Sequence, residues 1–137
     1  MPGARLCSDQ EWERAARGAD SRRYPHGNAL AASDACTLLA FANQRGLAVP
    51  CPVGTHPASR SVFGVDDLVG NVMEWTATSP ADDPSQAIAR SSRFFEEDNA
   101  FHWIANVGNC PTSTPVYVPG IRVCASFPLA SSRAAVP

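Results

Sequence analysis

The residues whose types suit chemistry are acids and histidines scattered through the chain. Glu96, Glu97 and His102 have the composition of a metal site with two carboxylates and one histidine. An acidic loop beside a surface histidine is far commoner, so we expect no metal there. Asp67 and Glu74 flank a Gly-Asn turn. On residue type alone, these two acids are expected to be solvated or to cap that turn.

The cysteines and serines do not form a recognisable catalytic set. The five cysteines are Cys7, Cys36, Cys51, Cys110 and Cys124, and none of them forms a C-x-x-C pair. A zinc ribbon and a thioredoxin-type motif are therefore disfavoured. Disulfides stay open, because the spacing selects no pairing and bridges persist only in an oxidising compartment. There is no Gly-x-Ser-x-Gly elbow and no Gly-rich phosphate loop.

Length and charge narrow the classes of protein further. A chain of 137 residues fits one domain. Its 11 basic residues are all arginines, opposed by 13 acidic residues, so no basic surface for nucleic acid is expected. No apolar run is long enough to span a membrane and no export signal is visible. The sequence as written predicts a cytoplasmic protein, and an upstream signal would make it an exported one.

The elements that would position these residues are short. Ser8-Asp9-Gln10-Glu11 is a capping box, which predicts a helix from there to Gly18 with Trp12 and Ala16 on its buried face. Nine glycines and 12 prolines disfavour long helices and broad sheets. The sequence therefore predicts an α+β domain with little regular secondary structure.

Several other segments carry weaker patterns. Residues 29–42 have the propensity for a helix, and residues 49–53 are expected to form an edge strand or an extended strap. Residues 72–75 and 88–95 are predicted to be strands. Residues 116–118 and 121–124 look like closing strands, with Arg122 pointing opposite to its two apolar neighbours. The aromatic rings of Trp12, Trp75 and Trp103 are interpreted as core.

Four blocks of residues, in order, resemble formylglycine-generating-enzyme (sulfatase-modifying factor) domains. They are Arg5-Leu6 with Glu11-Trp12-Glu13-x-Ala15-Ala16-Arg17-Gly18, then Tyr24-Pro25-x-Gly27-Asn28, then Phe63-Gly64-Val65-x-Asp67-Leu68-x-Gly70-Asn71-Val72-x-Glu74-Trp75, and finally Gly120-Ile121-Arg122-Val123. The resemblance extends over nearly the whole chain, and the Gly-Asn-Val-x-Glu-Trp core is specific.

The resemblance implies a fold and an extent. Family domains look like elaborated C-type lectins, and they carry a long N-terminal half before the Glu-Trp-Glu block. This chain starts almost on that block, so we expect residues 1–127 to be the C-terminal part of such a domain and residues 128–137 a frayed tail. A second chain that supplies the N-terminal half is one possible partner, beside a protein or peptide substrate.

The resemblance also bears on copper. Oxidase members of the family hold copper(I) with a pair of cysteines after a Gly-Gly-Ser block and oxidise a substrate cysteine. Here Ser91-Ser92-Arg93-Phe94 stands at that block, and residues 95–102 contain no cysteine. We therefore expect no copper-dependent oxidation. The alternative is a noncatalytic, lectin-like module that binds a protein or peptide through the loops at 77–87 and 96–115.

Structural roles are implied for other residues. A family calcium site maps onto the side chains of Asp67 and Glu74 and the carbonyl oxygens of Gly70 and Val72, so calcium is the expected cofactor. A second family calcium site maps onto Ala35-Cys36, where a cysteine replaces asparagine, and this departure puts that site in doubt. Arg122 corresponds to a buried arginine that pairs with a carboxylate.

Family cysteines beside the final strand are often structural. The resemblance therefore implies bridges for Cys110 and Cys124, with Cys7–Cys124 as one pairing. His26 and His56 are interpreted as structural or exposed rather than catalytic.

Overall fold

Irregular chain dominates the fold, as the glycine and proline content predicts. The computed structural model describes residues 3–20, 22–38, 49–95, 107–112 and 119–126. Within these ranges lie one nine-residue helix, a 3-10 turn at Pro57–Ser59 and strands of two to five residues. None of the helices in the described ranges is long and apolar enough to cross a membrane.

Helix α1, Asp9–Arg17, follows directly from its local sequence. The Ser8 hydroxyl accepts a hydrogen bond from the Glu11 amide, and the Glu11 carboxylate accepts one from the Ser8 amide at 2.8 Å. Gly18 ends the helix with a φ of 72°. Trp12 and Ala16 are fully buried, which confirms the predicted inner face.

Two small sheets surround this helix. Strands β1 (Ala4–Leu6) and β6 (Val123–Ala125) form an antiparallel pair. The second sheet has the order β4-β3-β2-β5, built from Val107–Pro111, Gln86–Arg90, Glu74–Trp75 and Gly120–Ile121. Strand β5 runs parallel to β2, and the other pairs in this sheet are antiparallel. The C-terminal strands therefore belong to both sheets and lie beside the Glu-Trp segment.

The core joins the helix to the turn region of the sheet. Trp12, Ala16, Cys7 and Leu68 form one buried cluster. Ion pairs stabilise the same interface, because the Arg90 guanidinium on β3 binds the carboxylates of Asp9 and, at 2.9 Å, of Glu13 on α1. These contacts fix α1 against β3.

Two disulfides connect distant parts of the chain. Cys7 is bonded to Cys124, which confirms that pairing, and Cys36 is bonded to Cys51. The expectation of a bridge at Cys110 is wrong, because its thiol is free and half-buried. Cys110 lies on β4, opposite Ala87 of β3, where no cysteine faces it across the strand pair.

The predicted helix at 29–42 is wrong for residues 29–37, which form turns and an isolated bridge. Asp34 closes a tight turn by accepting a hydrogen bond from the Ala31 amide at 2.7 Å, and Cys36 pairs with Gly70. Local side-chain bonding and the tertiary bridge override the helical propensity. Residues 49–52 form neither helix nor strand and a turn begins at Val53, so the edge strand does not form there; residues 39–48 lie outside the described ranges.

The predicted strands are shorter or shifted. The strand expected at 72–75 covers only Glu74–Trp75. The strand expected at 88–95 begins at Gln86 and ends at Arg90, because Ser91 has a φ of 77° that turns the chain out of the sheet. Residues 116–118, Trp103, the Glu96–Glu97–His102 set and the tail from 127 onward lie outside the described residues.

Candidate functional site

An open cleft of about 470 Å³ lies where the Gly-Asn turn meets the C-terminal strands. Asp66, Asp67 and Glu74 line it with carboxylates, and Arg122 lines it with a guanidinium. Its rim carries three apolar side chains that are each more than half exposed, namely Val53, Ile121 and Val123. The cleft therefore combines a charged floor with an apolar edge.

Glu74 is the most enclosed of these charges, with an exposed fraction of 6%. Its Oε2 accepts hydrogen bonds from the indole nitrogen of Trp12 at 2.6 Å and from Nε of Arg122 at 2.7 Å. Its Oε1 accepts a further bond from Nη2 of Arg122 at 2.6 Å. The expected role of Arg122 as a carboxylate partner is confirmed.

Asp67, Gly70 and Val72 complete the set that was predicted to bind calcium. Oδ2 of Asp67 accepts a hydrogen bond from the Gly54 amide at 2.7 Å. Val72 lines the cleft beside Asp67 and Glu74. Gly70 is buried under Cys36, and its carbonyl accepts a 3.4 Å bond from the Ser91 hydroxyl. The structure thus brings three of the four residues to the lining of one cleft, and Gly70 is not among the lining residues.

These donors do not offer calcium a complete set as they stand. Calcium takes six to eight oxygen ligands, with carboxylates prominent among them. Oδ2 of Asp67 accepts the Gly54 bond, and its other carboxylate oxygen accepts no hydrogen bond from the described residues. Both oxygens of Glu74 accept hydrogen bonds, and two of these three bonds come from the Arg122 guanidinium. A calcium ion at Glu74 would share this carboxylate with Arg122. Calcium binding in this cleft stays a prediction.

The neighbouring turn is held by Asn71. Its side chain pairs with the backbone of Cys51 through two 3.1 Å hydrogen bonds, and its φ of 60° is left-handed. The Cys36–Cys51 bridge lies beside this contact. Neither Ala35 nor Cys36 has a side-chain oxygen, so this pair offers a second calcium ion no side-chain ligand.

Outside the cleft, the described residues show no further catalytic set. No group of three or more His, Cys, Asp or Glu side chains in the described ranges is arranged to hold a metal ion. His26 bonds to the Ala29 carbonyl at 2.8 Å, and His56 contacts the Thr55 hydroxyl at 3.2 Å. His26 also lies 3.5 Å from a carboxylate oxygen of Asp34, and the contacts of both histidines with described residues stay within their own loops, in keeping with a structural role.

Asp66, at the edge of the cleft, interacts with two arginines. The pKa of Asp66 lies below its ordinary value, chiefly because Arg60 donates hydrogen bonds to it and, to a smaller extent, because Arg122 is near. Nη2 of Arg122 also donates to the Asp66 carbonyl at 3.1 Å. Arg122 therefore links the turn loop to β2.

A family model described as "Sulfatase-modifying factor enzyme 1-like domain" matches residues 1–126. The chain belongs to the sulfatase-modifying factor enzyme family. The resemblance carried by the Glu-Trp-Glu, Gly-Asn-Val-x-Glu-Trp and Gly-Ile-Arg-Val blocks is thereby confirmed. All three blocks meet physically, because Trp12, Glu74 and Arg122 share one hydrogen-bond network.

Similar curated proteins carry two different names. The chain is 41% identical over 81 residues to a hercynine oxygenase of Mycolicibacterium thermoresistibile, a match that covers 56% of this chain and 17% of that protein. It is 37% identical over 84 residues to the formylglycine-generating enzyme of Mycobacterium tuberculosis, with 56% and 27% covered. The chain therefore spans less than a third of the length of these family members.

Solved structures support the fold. Treponema denticola variable protein 1 superposes with a TM-score of 0.70 at 18% identity, over 90% of this chain and 48% of that one. PvdO from Pseudomonas aeruginosa gives a TM-score of 0.64 at 24% identity, over 80% and 48%. The chain thus has the mixed α and β architecture of these folds and spans about half their length. Its kinship to C-type lectins stays a prediction.

Sequence reasoning missed two features of the site. Trp12 was interpreted as a core aromatic, although its indole nitrogen also binds Glu74. The apolar rim was not anticipated, because alternation in the final strands placed Arg122 opposite Ile121 and Val123 but did not say which side faces solvent. The Trp12–Glu74 contact could have been anticipated, because the motifs that contain these two residues occur together in one family.

Proposed function

We propose that this chain supplies a protein- or peptide-binding part of a formylglycine-generating-enzyme-like domain, and that its own residues do not oxidise cysteine to formylglycine with copper. The observation that carries this proposal is the state of the five cysteines. Four of them are paired in two disulfides, and Cys110 alone keeps a thiol. A copper(I) site of the family's type needs two thiolates within reach of one ion.

The cleft supports a binding role. Exposed apolar side chains beside hydrogen-bonding charges are typical of surfaces that bind polypeptides. Apart from the cleft, the loop after β2 is firmly anchored, since the Asp9 amide donates to the Thr78 hydroxyl at 2.9 Å and the Ile88 amide donates to the Thr78 carbonyl at 2.8 Å. A loop anchored in this way presents its tip at residues 81–85 without a large ordering cost.

A small ligand is the second candidate, because the match to hercynine oxygenase is as strong in identity as the match to the formylglycine-generating enzyme. Under this candidate the cleft binds hercynine rather than a peptide. Glu74 and Arg122 would then recognise hercynine through their charges rather than through the shape of the cleft.

The copper half of the proposal is tested by thiol counting and copper(I) competition. Without reductant, denatured protein is expected to give one titratable thiol and Cys110→Ser none. Against a chromophoric copper(I) chelator, the folded chain is expected to retain no copper, while the Mycobacterium tuberculosis formylglycine-generating enzyme serves as the positive control. Stoichiometric copper(I) binding with aldehyde formation on a cysteine peptide would overturn this half.

The binding half is tested by fluorescence anisotropy with a labelled cysteine peptide that the control enzyme converts, and by calorimetry with hercynine. Ile121→Asp on the rim is expected to weaken peptide binding at least tenfold. Val62→Asp is the matched control, because Val62 is also more than half exposed, at 57% against 69% for Ile121, but does not line the cleft. Binding of hercynine alone would favour the second candidate, and binding of neither ligand would remove the proposed role.

A further inference from the structure

Part of the cleft wall is an irregular stretch, residues 49–54, which we call the wall segment. Val53 of this segment lines the cleft and is 86% exposed. The Gly54 amide donates a 2.7 Å hydrogen bond to Oδ2 of Asp67, another residue that lines the cleft. The wall segment therefore supplies an apolar side chain to the rim and a hydrogen bond to a carboxylate of the floor.

Few noncovalent contacts hold the wall segment in place. Its apolar side chains stay in solvent, with Val49 56% exposed and both Pro50 and Pro52 exposed, and the two prolines have no amide to donate. Asn71 binds the backbone of Cys51 through two 3.1 Å hydrogen bonds. A segment with so few buried apolar contacts opens at a low cost in free energy. The covalent link from Cys51 to Cys36 is therefore the main restraint on it.

The other end of this bridge is fixed independently of the disulfide. Cys36 is 1% exposed, its carbonyl accepts a hydrogen bond from the Asn71 amide at 2.7 Å, and its backbone pairs with that of Gly70. Cys51 is half-buried, so a thiol in solution approaches the bridge from the Cys51 side. Breaking the bridge leaves Cys36 in place and frees Cys51 to move with the wall segment.

The Cys7–Cys124 bridge has a different setting. Cys124 lies in β6, which is paired with β1, and Cys7 follows β1 and packs in the buried cluster around Trp12. Strand pairing and core packing keep these two sulfurs together after reduction, and a high local concentration of one thiol at the other favours re-formation of the bond. Reduction is therefore expected to be selective for Cys36–Cys51.

We propose that Cys36–Cys51 is a redox switch of the cleft, in which a dithiol reductant opens the bridge and releases the wall segment. A thiolate of the reductant attacks Sγ of Cys51, and Cys36 leaves as a thiolate that takes up a proton. The second thiol of the reductant then displaces Cys51 from the mixed disulfide. The reductant supplies two electrons and two protons and ends as a disulfide, and the protein ends with two thiols.

The first test treats the native chain with increasing dithiothreitol. Alkylation followed by peptide mass spectrometry identifies the reduced cysteines, and hydrogen exchange reports on the amides of Cys51 and Gly54. Cys36 and Cys51 are expected to be alkylated while Cys7–Cys124 stays paired, and exchange at the two amides is expected to rise roughly tenfold or more. The amides of β1 are the internal control and are expected not to change.

Cys36→Ala/Cys51→Ala is the variant that opens the switch without a reductant. It is expected to show the faster exchange in the absence of dithiothreitol and no further change when dithiothreitol is added. Cys110→Ala is the matched control, because it removes a cysteine outside both bridges and is expected to respond as the native chain does. The measurement on the native chain does not depend on whether either variant folds.

Unchanged exchange after reduction of Cys36–Cys51 would overturn the switch, because Asn71 would then hold the wall segment without the bridge. Reduction of Cys7–Cys124 first would also overturn it. Global unfolding when Cys36–Cys51 opens would do the same, since the bridge would then be only a structural link.

Ligand binding is the second readout, and it rests on the proposed function. The labelled peptide is expected to bind several-fold more weakly after selective reduction, because the rim loses Val53. Release of the wall segment with unchanged peptide affinity would overturn the control of the cleft by this bridge. Absence of peptide binding in both redox states counts against the proposed function alone, and hydrogen exchange then decides whether the switch exists.

Discussion

The indole nitrogen of Trp12 donates a 2.6 Å hydrogen bond to Oε2 of Glu74, 62 residues further along the chain. This bond joins the buried face of α1 to the carboxylate at the floor of the cleft. Since Arg122 binds the same carboxylate, the N-terminal helix, the central strand β2 and the C-terminal strands meet at one buried charge. Changes to the core at Trp12 are therefore expected to reach the cleft.

Trp12→Phe is expected to destabilise the fold although it keeps an aromatic ring in the core. The lost donor leaves Oε2 of Glu74 with one partner fewer, and a hydrogen bond to a charged group contributes about 1.5–3 kcal/mol. Loss of ring volume adds to this cost. Urea unfolding measures the difference, with Trp75→Phe as a half-buried control. A free energy of unfolding within about 0.5 kcal/mol of the native value would contradict the role of this bond.

The two disulfides are expected to differ in their contribution to stability. The Cys7–Cys124 bridge closes a segment of 117 residues, whereas Cys36–Cys51 closes one of 15. Loop-closure entropy predicts that removal of the first costs about 4.9 kcal/mol and removal of the second about 3 kcal/mol. Urea unfolding of Cys7→Ala/Cys124→Ala and Cys36→Ala/Cys51→Ala under identical oxidising conditions compares them. Equal losses would mean that the strand pairing of β1 with β6, rather than the covalent link, restrains the termini.

The capping carboxylate of α1 is expected to make stability fall in acid. The pKa of Glu11 is lowered from 4.5 to about 2, first by the hydrogen bonds from Arg5 and then by the bond from the Ser8 amide. Because the pKa is lower in the folded state, this stabilisation is fully present above about pH 4.5 and is lost as the pH falls toward 2.

Glu11→Gln is the variant that isolates this effect, since glutamine keeps the capping geometry without the charge. Its unfolding midpoint is expected to change less than that of the native chain between pH 4.5 and 2. Carbon NMR titration of the Glu11 carboxyl measures the pKa directly. An ordinary pKa for Glu11 in the folded protein would show that the Arg5 pair contributes nothing in solution.

Gly70 and Gly64 provide a matched pair for the turn that carries the cleft. Both have left-handed φ angles, 71° and 78°, so alanine at either position costs roughly 1–2 kcal/mol in backbone strain. At Gly70, however, an added Cβ would lie 2.3 Å from the Cys36 carbonyl oxygen, whereas at Gly64 it would meet no atom within 4 Å.

Gly70→Ala is therefore expected to lose about 3 kcal/mol or more, well beyond the loss for Gly64→Ala. Thermal or urea unfolding of the two variants compares them. Similar losses would mean that the Cys36 bridge yields easily, and that the close approach of these two backbones is not a constraint on the site.

Local features of the site were predictable from the sequence alone. The capping box at Ser8 and the left-handed stop at Gly18 involve atoms a few residues apart, so residue types and spacing were sufficient to predict them. The ordered blocks identified the family and, through it, the pairing of Cys7 with Cys124 and the role of Arg122 as the partner of a carboxylate. The helix at 29–37 was mispredicted because propensity is weak where a tertiary bridge competes with it.

The sequence by itself determined the helix, the irregular α+β character and family membership, because these depend on local hydrogen bonding and on motif order. Only the tertiary structure decided which carboxylate Arg122 neutralises, which thiol stays free, and which apolar side chains of the last strands face outward. Those outcomes depend on chain segments that are far apart in sequence. A buried charge and a strand register are settled by their neighbours in space, which a linear pattern does not specify.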